Sequence, residues 1–322
     1  MTKEIYITKR SGSKEKLDLD KMHFVVEEAC NGLSGVSASQ IEMNADLQFY
    51  DGMSSEEIQN ILIRSANDLI SLEAPNYQYA AARLLLYTLQ KKVYGRYEHH
   101  SLTEIIDANI DRSVYDSAIR EKYTDTELKK LNTYIKHDRN EEFTYAGLRQ
   151  VVDKYLCQDR SNGDIFETPQ HMYMMIAATL FAEYPKETRL SYVKKYYDAT
   201  SLFKINIPTP VMAGVRTPIR QFASCVLVDV DDTLPSIFSS NSAIGYYIAQ
   251  RAGIGINSGR TRAINSKIRG GEVAHTGVVP FLKVYESTVR SCTQNGVRGG
   301  SATTHFPIWH YEIEDILVLK NN

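Results

Sequence analysis

Five basic side chains crowd a short stretch near the amino terminus, where they could hold phosphate groups. The segment TKRSGSKEKLDLDK contains Lys9, Arg10, Lys14, Lys16 and Lys21. Several cations and turn amides can converge on a polyanion, so this stretch is a candidate phosphate site. Lys91, at the end of a later predicted helix, would close over the site if that helix packs against the stretch. The alternative is a solvated basic surface, which is the usual meaning of a charge run.

A second group of arginines lies in a glycine-rich segment. The sequence RAGIGINSGRTRAINSKIRGG, residues 251–271, holds Arg260, Arg262 and Arg269. Its glycine spacing comes close to a dinucleotide-binding fingerprint, but a lone near-match is weak evidence. We interpret the segment as a mobile loop that grips phosphate, with an ordinary surface loop as the alternative. A later stretch, CTQNGVRGGSATTHFPIWH, has three glycines in five residues, which suits a loop that changes its backbone conformation.

The four cysteines are far apart, and their spacing predicts free thiols. Cys30, Cys157, Cys225 and Cys292 form no CxxC pair, which argues against a zinc site or a disulfide scaffold and favours a reducing cytoplasm. Cys225, in the run RQFASCVLV, is by itself more typical of a buried structural thiol. The sequence has no Ser-His-Asp signature, HExxH motif, P-loop or carboxylate cluster with metal-ligand spacing, so no metal site is predicted.

Composition and charge limit the class of protein. With 322 residues, 43% of them hydrophobic and 24% charged, the chain is long enough for two or three globular domains. The net charge of −2 argues against a dedicated nucleic-acid binder. The start MTKEIYITKR lacks the apolar stretch of a signal peptide, and the longest nearly apolar run, YAAARLLLY, is too short to span a membrane.

The elements that would position these residues fall into three predicted domains. In residues 1–95, EIYITKR and KEKLDL read as two strands joined by a turn, and helices follow, one of them starting with a capping box at Ser54 and Glu57. Residues 96–213 contain only two glycines, and their charge-laced apolar periodicity predicts a helical domain.

The composition changes near residue 214, which marks the last predicted boundary. Residues 214–322 hold 11 of the 18 glycines. FASCVLVDV and GVVPFLKVY are predicted strands, TLPSIFSSNSAIGYYIAQRA is a predicted helix, and PIWHYEIEDILVLKNN predicts a helix from Pro307. Strands that alternate with helices predict an α/β architecture.

Five segments resemble the large, catalytic subunit of class Ia ribonucleotide reductase, in the family's order. They are YITKRSGSKEKLDLDK, APNYQYAAARLLLYTLQKK, FKINIPTPVMAGVRTPIRQFASCVL, QRAGIGINSGRTRAINSKIRGGEVAHTGVVPF and SCTQNGVRGGSATTHFPIWHYEIEDILVLKNN. The resemblance covers the whole chain but well under half of a typical family member, which implies an amino-terminal portion. It implies a mixed α+β and α/β fold, in which an ATP-cone and a helical domain precede the first part of an incomplete ten-stranded α/β barrel.

By the resemblance, residues 1–95 are an ATP-cone that binds ATP or dATP and sets the overall activity. Its nucleotide-contacting positions are matched by Lys9, Arg10, Glu15, Lys16, Leu17, Asp18, Leu19, Asp20, Lys21, Ser55 and Lys91. The family often has asparagine, threonine and histidine where this chain has Asp18, Ser55 and Gln59. We expect ATP to bind, and the response to dATP stays open.

The resemblance also implies roles around the predicted barrel strands. Cys225 would be one of two thiols that reduce the ribose 2′ position and end as a disulfide, near the substrate-binding Thr209 and Ser224. Gln294 and Arg298 would read the substrate base in a loop that reports which effector is bound. The allosteric specificity site for a deoxynucleoside triphosphate would consist of Asp232, Thr233, Leu234, Arg262 and Arg269.

The implied function is reduction of ribonucleoside diphosphates to 2′-deoxyribonucleoside diphosphates by thiyl-radical chemistry, for DNA synthesis. The implied partners are a carboxy-terminal polypeptide that completes the barrel, a small subunit with a di-iron tyrosyl radical, and thioredoxin or glutaredoxin. Nucleotide effectors would bind with Mg²⁺, and the chain alone is expected to be inactive. We expect a naturally split subunit, as in some phages, rather than a truncated one.

Two other functions stay open at this point. One is a standalone ATP-cone protein that senses nucleotides or regulates, although cone regulators usually carry a zinc ribbon and this chain has no CxxC. The other is a nicotinamide-dependent dehydrogenase that uses the segment beginning at Gly253. Binding of ATP and dTTP, but not of NAD, would separate these functions from the reductase.

Overall fold

The structure is a computed structural model that describes residues 5–9, 12–46, 48–219, 221–294 and 298–319, without the side chains of residues 293, 294 and 298. The chain divides into two compact units, Met1–Asn206 and Ile207–Asn322.

The first unit begins with a β-hairpin and four helices. These elements are β1 (Tyr6–Thr8), β2 (Lys14–Lys16), α1 (Leu19–Cys30), α2 (Ala38–Asp46), α3 (Ser55–Asp68) and α4 (Tyr77–Tyr94). The hairpin is antiparallel, and Ile7 stands opposite Glu15. Ser54 and Glu57 form the predicted capping box at the start of α3. The hairpin followed by helices therefore confirms the predicted order of elements.

Helix α4 is the central element of this part of the unit. It packs against α1, α3 and α8 (Tyr145–Lys154), and its Ala81, Leu84 and Leu89 are buried. It ends at Gly95, whose φ of 70° is the left-handed conformation that favours glycine at a helix end. The last turn of α4 therefore has a fixed position and direction.

The remainder of the first unit is mainly helical, as predicted. Its other elements are α5 (Leu102–Asp111), α6 (Ala118–Lys122), α7 (Asp125–Tyr134), a 3₁₀ helix (His137–Glu142), the short hairpin β3 (Gln158–Asp159) and β4 (Asp164–Ile165), α9 (Pro169–Leu180) and α10 (Lys186–Ser201). Capping boxes start α5 and α7. Helix α9 is buried along nearly its whole length, which makes it the core helix of this layer.

The second unit contains a small parallel sheet covered by helices. Its elements are α11 (Thr209–Gly214), β5 (Cys225–Asp229), α12 (Leu234–Ala249), β6 (Gly253–Asn257), β7 (Lys267–Ile268), a 3₁₀ turn (Arg269–Gly271), β8 (Val273–Ala274), α13 (Val279–Ser291), β9 (Thr293–Gln294), β10 (Arg298–Gly299), β11 (Ala302–His305) and α14 (Ile313–Val318). The sheet order is β5, β6, β11, with both pairs parallel. Ile244, Ile254, Ile256 and Tyr285 lie in the core between sheet and helices.

Three predictions of local structure were wrong. The run GVVPFLKVY is the start of α13 and not a strand; Pro280 lies in its first turn, where the missing N–H costs nothing. The predicted loop after Arg251 begins with the central strand β6, because Ile254 and Ile256 are buried under the helices. The helix predicted from Pro307 begins at Ile313 instead, and a turn from Pro307 to His310 precedes it.

Candidate functional site

The hairpin β1–β2 and helices α1, α3 and α4 surround a cavity of about 640 Å³. This volume is typical of small-molecule sites. Seven of the predicted nucleotide-contacting residues line it, namely Lys9, Glu15, Leu17, Asp18, Lys21, Ser55 and Lys91. Gln59 lines it as well. The cavity therefore brings together residues that lie more than 70 positions apart in the sequence.

Strand and helix periodicity explains which predicted residues stay outside the cavity. Lys16 is exposed on β2, one position from Glu15 and Leu17, and successive strand residues face opposite sides. Leu19 and Asp20 are exposed at the start of α1, on a different face from Lys21. Arg10 lies outside the described residues.

Two of the cavity lysines are held by neighbouring carboxylates. Lys9 Nζ lies 2.6 Å from Glu15 Oε1, and Lys21 Nζ lies 3.5 Å from Asp18 Oδ2. Asp18 is also the N-cap of α1, because its Oδ1 accepts a hydrogen bond from the Lys21 N–H at 3.1 Å. This backbone hydrogen bond lowers the pKa of Asp18. The lining of the cavity therefore contains two ion pairs, Lys9 with Glu15 and Lys21 with Asp18.

Several cavity residues were missed at the sequence level, and they lie mostly on α4 and just after it. Tyr87, Lys91 and Gly95 line the cavity at intervals of four residues, and Tyr97 and Lys92 join them. Lys91 Nζ lies 4.8 Å from the centre of the Tyr97 ring and 3.4 Å from its hydroxyl. The four-residue spacing from Lys91 is the signal that would have found Tyr87 and Gly95, since residues i and i+4 share a helix face.

The predicted specificity residues meet beyond the carboxyl ends of β5 and β6. Asp232 follows β5, and its carboxylate accepts hydrogen bonds from the N–H and from Nε of Arg262, at 2.9 and 2.6 Å. Thr233 is the N-cap of α12 and accepts from the Ser236 N–H at 3.2 Å. Leu234 is exposed in the first turn. Ligands of parallel α/β sheets bind at this end of the strands.

A second arginine at the same sheet end is also paired. Arg260 Nη1 lies 2.9 Å from Asp231 Oδ1 and 3.2 Å from Asp229 Oδ2, and its hydrogen bond to Asp231 raises the pKa of Arg260. Arg269 is exposed, with a φ of 52° at the start of the 3₁₀ turn. This end of the sheet therefore carries two arginines that carboxylates orient, Arg260 and Arg262, whereas no contact joins Arg269 to them in the described structure.

Cys225 lies at the opposite, amino-terminal end of the same sheet. It is the first residue of β5, its thiol is free, and the residue is exposed. The preceding Ser224 accepts a backbone hydrogen bond from Gly253 at 2.8 Å. The length of β5 puts about 13 Å between Cys225 and Asp229 at the other end of the strand. Thr209 starts α11 and is half-buried.

The short hairpin β9–β10 comes just before β11. Gln294 stands opposite Arg298 in its register, and their side chains, like residues 295–297, lie outside the described part of the structure. Gly300 follows, and an added Cβ would lie 2.2 Å from the Val289 carbonyl oxygen. This close approach requires glycine, so the hairpin is anchored against the end of α13.

Within the described residues, no group of three or more His, Cys, Asp or Glu side chains is arranged to hold a metal ion. None of the described helices combines the length and the hydropathy of a membrane span.

Three family models match consecutive parts of the sequence. Residues 5–92 match the ATP cone domain, residues 141–220 match the all-alpha domain of ribonucleotide reductase, and residues 223–322 match the ribonucleotide reductase barrel domain. A match to the ATP cone implies binding of a nucleotide effector.

Whole-chain comparisons point to the same group of proteins. The chain is 51% identical over 322 residues to ribonucleoside-diphosphate reductase 1 subunit alpha of Escherichia coli K12, covering all of this chain and 42% of that protein. It is 50% identical over 322 residues to the alpha subunit of Haemophilus influenzae, covering all of this chain and 43% of that protein. It is 45% identical over 318 residues to the alpha subunit of Enterobacteria phage T4, covering 99% of this chain and 42% of that protein. The chain therefore spans about two fifths of the length of these relatives.

Proposed function

Because this chain belongs to the family of ribonucleoside-diphosphate reductase alpha subunits, we propose that it forms the amino-terminal part of such a reductase. In this role it supplies a nucleotide site for overall activity, a site for specificity and one reducing thiol. The observation that carries the proposal is the exposed free thiol of Cys225 at the start of β5, within the part that matches the barrel domain. We also propose that the chain has three domains: an ATP-cone in residues 1–95, a helical domain in residues 96–213 and the first part of the barrel in residues 214–322.

The activity site is the cavity between the hairpin and α4. Lysines 9, 21 and 91 give it cations for a triphosphate, and Ile7 and Met22 give it apolar surface for a base. Mg²⁺ would arrive with the nucleotide. Asp18 and Glu15 also line the cavity, where they are paired with Lys21 and Lys9.

The specificity site is the cluster of aspartates and arginines at the carboxyl end of the sheet. A carboxylate at a helix start can accept the sugar hydroxyl of a deoxynucleoside triphosphate, and the arginines can grip its phosphates. The pairing of Asp232 with Arg262 supports this assignment, because it holds a guanidinium near the helix start before any ligand arrives.

The reaction exchanges a dithiol for a disulfide. A thiyl radical on another polypeptide abstracts the ribose 3′ hydrogen, and the 2′ hydroxyl leaves as water. Cys225 and a second cysteine outside this chain supply two electrons and two protons and become a disulfide; one proton leaves in the water and the other becomes the new hydrogen at C2′. The 3′ hydrogen then returns to the ribose, which regenerates the thiyl radical. Thr209 and Ser224 would contact the substrate, and Gln294 with Arg298 would read its base. Thioredoxin or glutaredoxin then restores the thiols.

The proposed partners follow from the same reaction. A carboxy-terminal large-subunit polypeptide would complete the barrel, and a small subunit would carry the di-iron tyrosyl radical that generates the thiyl radical. The exposed Leu227 on β5 supports a barrel partner, since a strand face with an apolar side chain open to water is normally covered. None of the four cysteines forms a disulfide within the described residues, which supports a reducing, cytoplasmic location.

Reduction of CDP tests the proposal directly. Co-expression with the matching carboxy-terminal polypeptide, the small subunit and a thiol reductant should give dCDP, whereas this chain alone should give none. Cys225→Ser should abolish turnover in the complex, and Cys157→Ser is the matched control because that thiol is buried in the other unit. Turnover by this chain alone, or full activity of Cys225→Ser, would contradict the proposal.

The two alternative functions have less support. A standalone cone regulator leaves the matches to the all-alpha and barrel domains without a role. A nicotinamide-dependent dehydrogenase would need a phosphate-binding loop at Gly253, but residues 253–257 are a strand. Binding of ATP and dTTP without binding of NAD would exclude the dehydrogenase.

A further inference from the structure

Four of the eight histidines meet at one place in the first unit. The rings of His99 and His137 stack with centroids 3.6 Å apart and planes 4° apart. The His171 ring centre lies 5.2 Å from that of His137, and Tyr94 stacks on His100 at 5.0 Å. We call these four histidines and Tyr94 the imidazole cluster.

The cluster is packed in its uncharged form. His99 Nδ1, His137 Nδ1 and His171 Nε2 are buried, and each lacks a hydrogen-bond partner within the described structure. The other ring nitrogen of His171, Nδ1, lies 2.8 Å from the Tyr94 hydroxyl. Burial lowers the pKa of all three histidines, to about 3 for His137 and His171.

A metal ion does not explain the cluster. Stacked parallel rings direct their nitrogens side by side rather than toward one point, and the described residues contain no arrangement of three ligating side chains.

Glu104 interacts with His100 at the partly exposed edge of the cluster, but the carboxylates near the buried rings do not neutralise a proton on them. Asp138 raises the pKa of His137, but burial and the neighbouring histidines outweigh this effect. Glu167 acts on Tyr94, but its own carboxylate already accepts from the Tyr115 hydroxyl and from the Cys157 N–H. A first proton on the cluster would therefore have to be held in a buried site, and a second proton would also be repelled by the charge of the first at stacking distance.

The cluster shares one chain segment with the nucleotide cavity. Lys91, Lys92, Gly95 and Tyr97 line the cavity, whereas Tyr94, His99 and His100 belong to the cluster. Residues 91–100 therefore alternate between the two sites. Any movement of this segment away from His137 and His171 changes the wall of the cavity.

We propose that the imidazole cluster is a proton-sensitive joint that fixes residues 91–100 against α9 and the 3₁₀ helix, and so couples nucleotide affinity in the cavity to pH. Uncharged rings keep the joint closed. Protonation opens the joint, because the charged rings leave the buried stack for water. The coupling to nucleotide rests on the proposed function of the cavity, whereas the opening of the joint does not.

Hydrogen exchange of the full chain without nucleotide tests the joint by itself. After correction for intrinsic exchange rates, protection of residues 94–101 should fall about tenfold or more between pH 7.5 and pH 5.5, because each histidine that is free to protonate on opening contributes about tenfold per pH unit below 6.5. Unchanged protection over this range overturns the proposal.

Variants identify the sensor. His137→Asn removes a half-buried member of the stack and should reduce the fall in protection, and His99→Asn should do the same if the first variant does not fold. His23→Asn is the matched control, because His23 is an exposed histidine that pairs with Glu42 outside the cluster. A full pH effect in both cluster variants, or its loss in the control, overturns the proposal.

Titration calorimetry with Mg-ATP tests the coupling. Between pH 7.5 and pH 5.5 the wild type should lose several-fold more affinity for Mg-ATP than His137→Asn does. Protonation of ATP itself affects both proteins equally, so it cancels when the two are compared. Equal losses overturn the coupling. Absence of ATP binding at pH 7.5 would contradict the nucleotide site, and the exchange experiment would still decide the joint.

Discussion

Asp232 accepts two hydrogen bonds from Arg262, one from its backbone N–H and one from its guanidinium Nε. The carboxylate therefore fixes the chain after β6 and the direction of the arginine together. Arg262 Nη1 also lies 3.4 Å from the Lys267 carbonyl oxygen. The proposed specificity site is thus partly organised before an effector binds, so less conformational entropy is lost on binding.

Asp232→Asn should weaken dTTP binding about fivefold, because the neutral amide no longer holds the guanidinium with a charge-assisted bond. The stability of the chain should change by less than about 1 kcal/mol, since both partners are about a third exposed. Titration calorimetry of the complex with dTTP measures the affinity. Arg290→Gln, which removes an exposed arginine paired on α13, is the control and should leave it unchanged. Equal affinities of Asp232→Asn and wild type would refute the orienting role.

Lys91→Gln should reduce ATP affinity about tenfold or more, because a hydrogen bond to a charged group contributes roughly 1.5–3 kcal/mol. Lys91 lies over the Tyr97 ring, so loss of the cation–π contact is a second effect of the change. Lys130→Gln is the control for loss of a cation–π contact, because Lys130 lies 5.6 Å from the centre of the Tyr134 ring and does not line the cavity. Similar losses in both variants would show that the cavity does not bind the phosphates.

Asp18→Asn should retain the cap of α1, because an asparagine oxygen accepts the Lys21 N–H as well as a carboxylate does. Its melting temperature should therefore match the wild type, and its ATP affinity should rise a few-fold because one negative charge leaves the cavity. Asp18→Ala loses the cap and should lower the stability by about 1 kcal/mol. Unaltered ATP binding in Asp18→Asn would mean that residue 18 caps α1 but does not affect nucleotide affinity.

Stability should fall as pH drops below about 6.5. His137 and His171 have pKa values of about 3 in the folded chain, whereas an unfolded histidine has a pKa near 6.5. As the pH falls, the unfolded chain binds protons at a higher pH than the folded chain does. Each of the two histidines therefore lowers the free energy of unfolding by about 1.4 kcal/mol per pH unit between about pH 6.5 and pH 3. Urea unfolding at pH 7.5, 6.5 and 5.5 measures the loss, and a flat profile would contradict buried neutral rings.

Gly300→Ala should destabilise the second unit by roughly 1–3 kcal/mol, because the new Cβ would overlap the Val289 carbonyl oxygen. Gly299→Ala is the neighbouring control, since an added Cβ there meets nothing within 4 Å. Thermal unfolding of both variants measures the difference. Equal melting temperatures would show that the hairpin before β11 moves freely away from α13.

Much of the first unit could be predicted from local patterns. The Ser54 capping box depends on two residues three positions apart, and the structure confirms it. The apolar residues of α4 likewise recur at helical spacing, and they are buried. The second unit could not be predicted as well. GVVPFLKVY is a short apolar run, which fits a strand or a helix equally well, and the glycines after Arg251 favoured a loop where GIGIN forms a strand. The burial of Ile254 and Ile256 under α12 and α13 decides the assignment of β6.

The candidate sites also contain some residues that local patterns predict and others that depend on distant contacts. Strand alternation alone separates Glu15 in the cavity from the exposed Lys16. In contrast, the contact between Asp232 and Arg262 joins residues 30 positions apart, and no local rule predicts it. The imidazole cluster draws on three distant segments, so its members look unrelated in the sequence.

The sheet of the second unit has practical consequences for handling the protein. In the described part of the chain β5 and β11 are its edge strands, and Leu227, Trp309 and Tyr311 are each more than 80% exposed. Unpaired strand edges beside apolar side chains promote self-association. Purified without a partner, the chain should aggregate as its concentration rises, and co-expression is the route to a monodisperse sample.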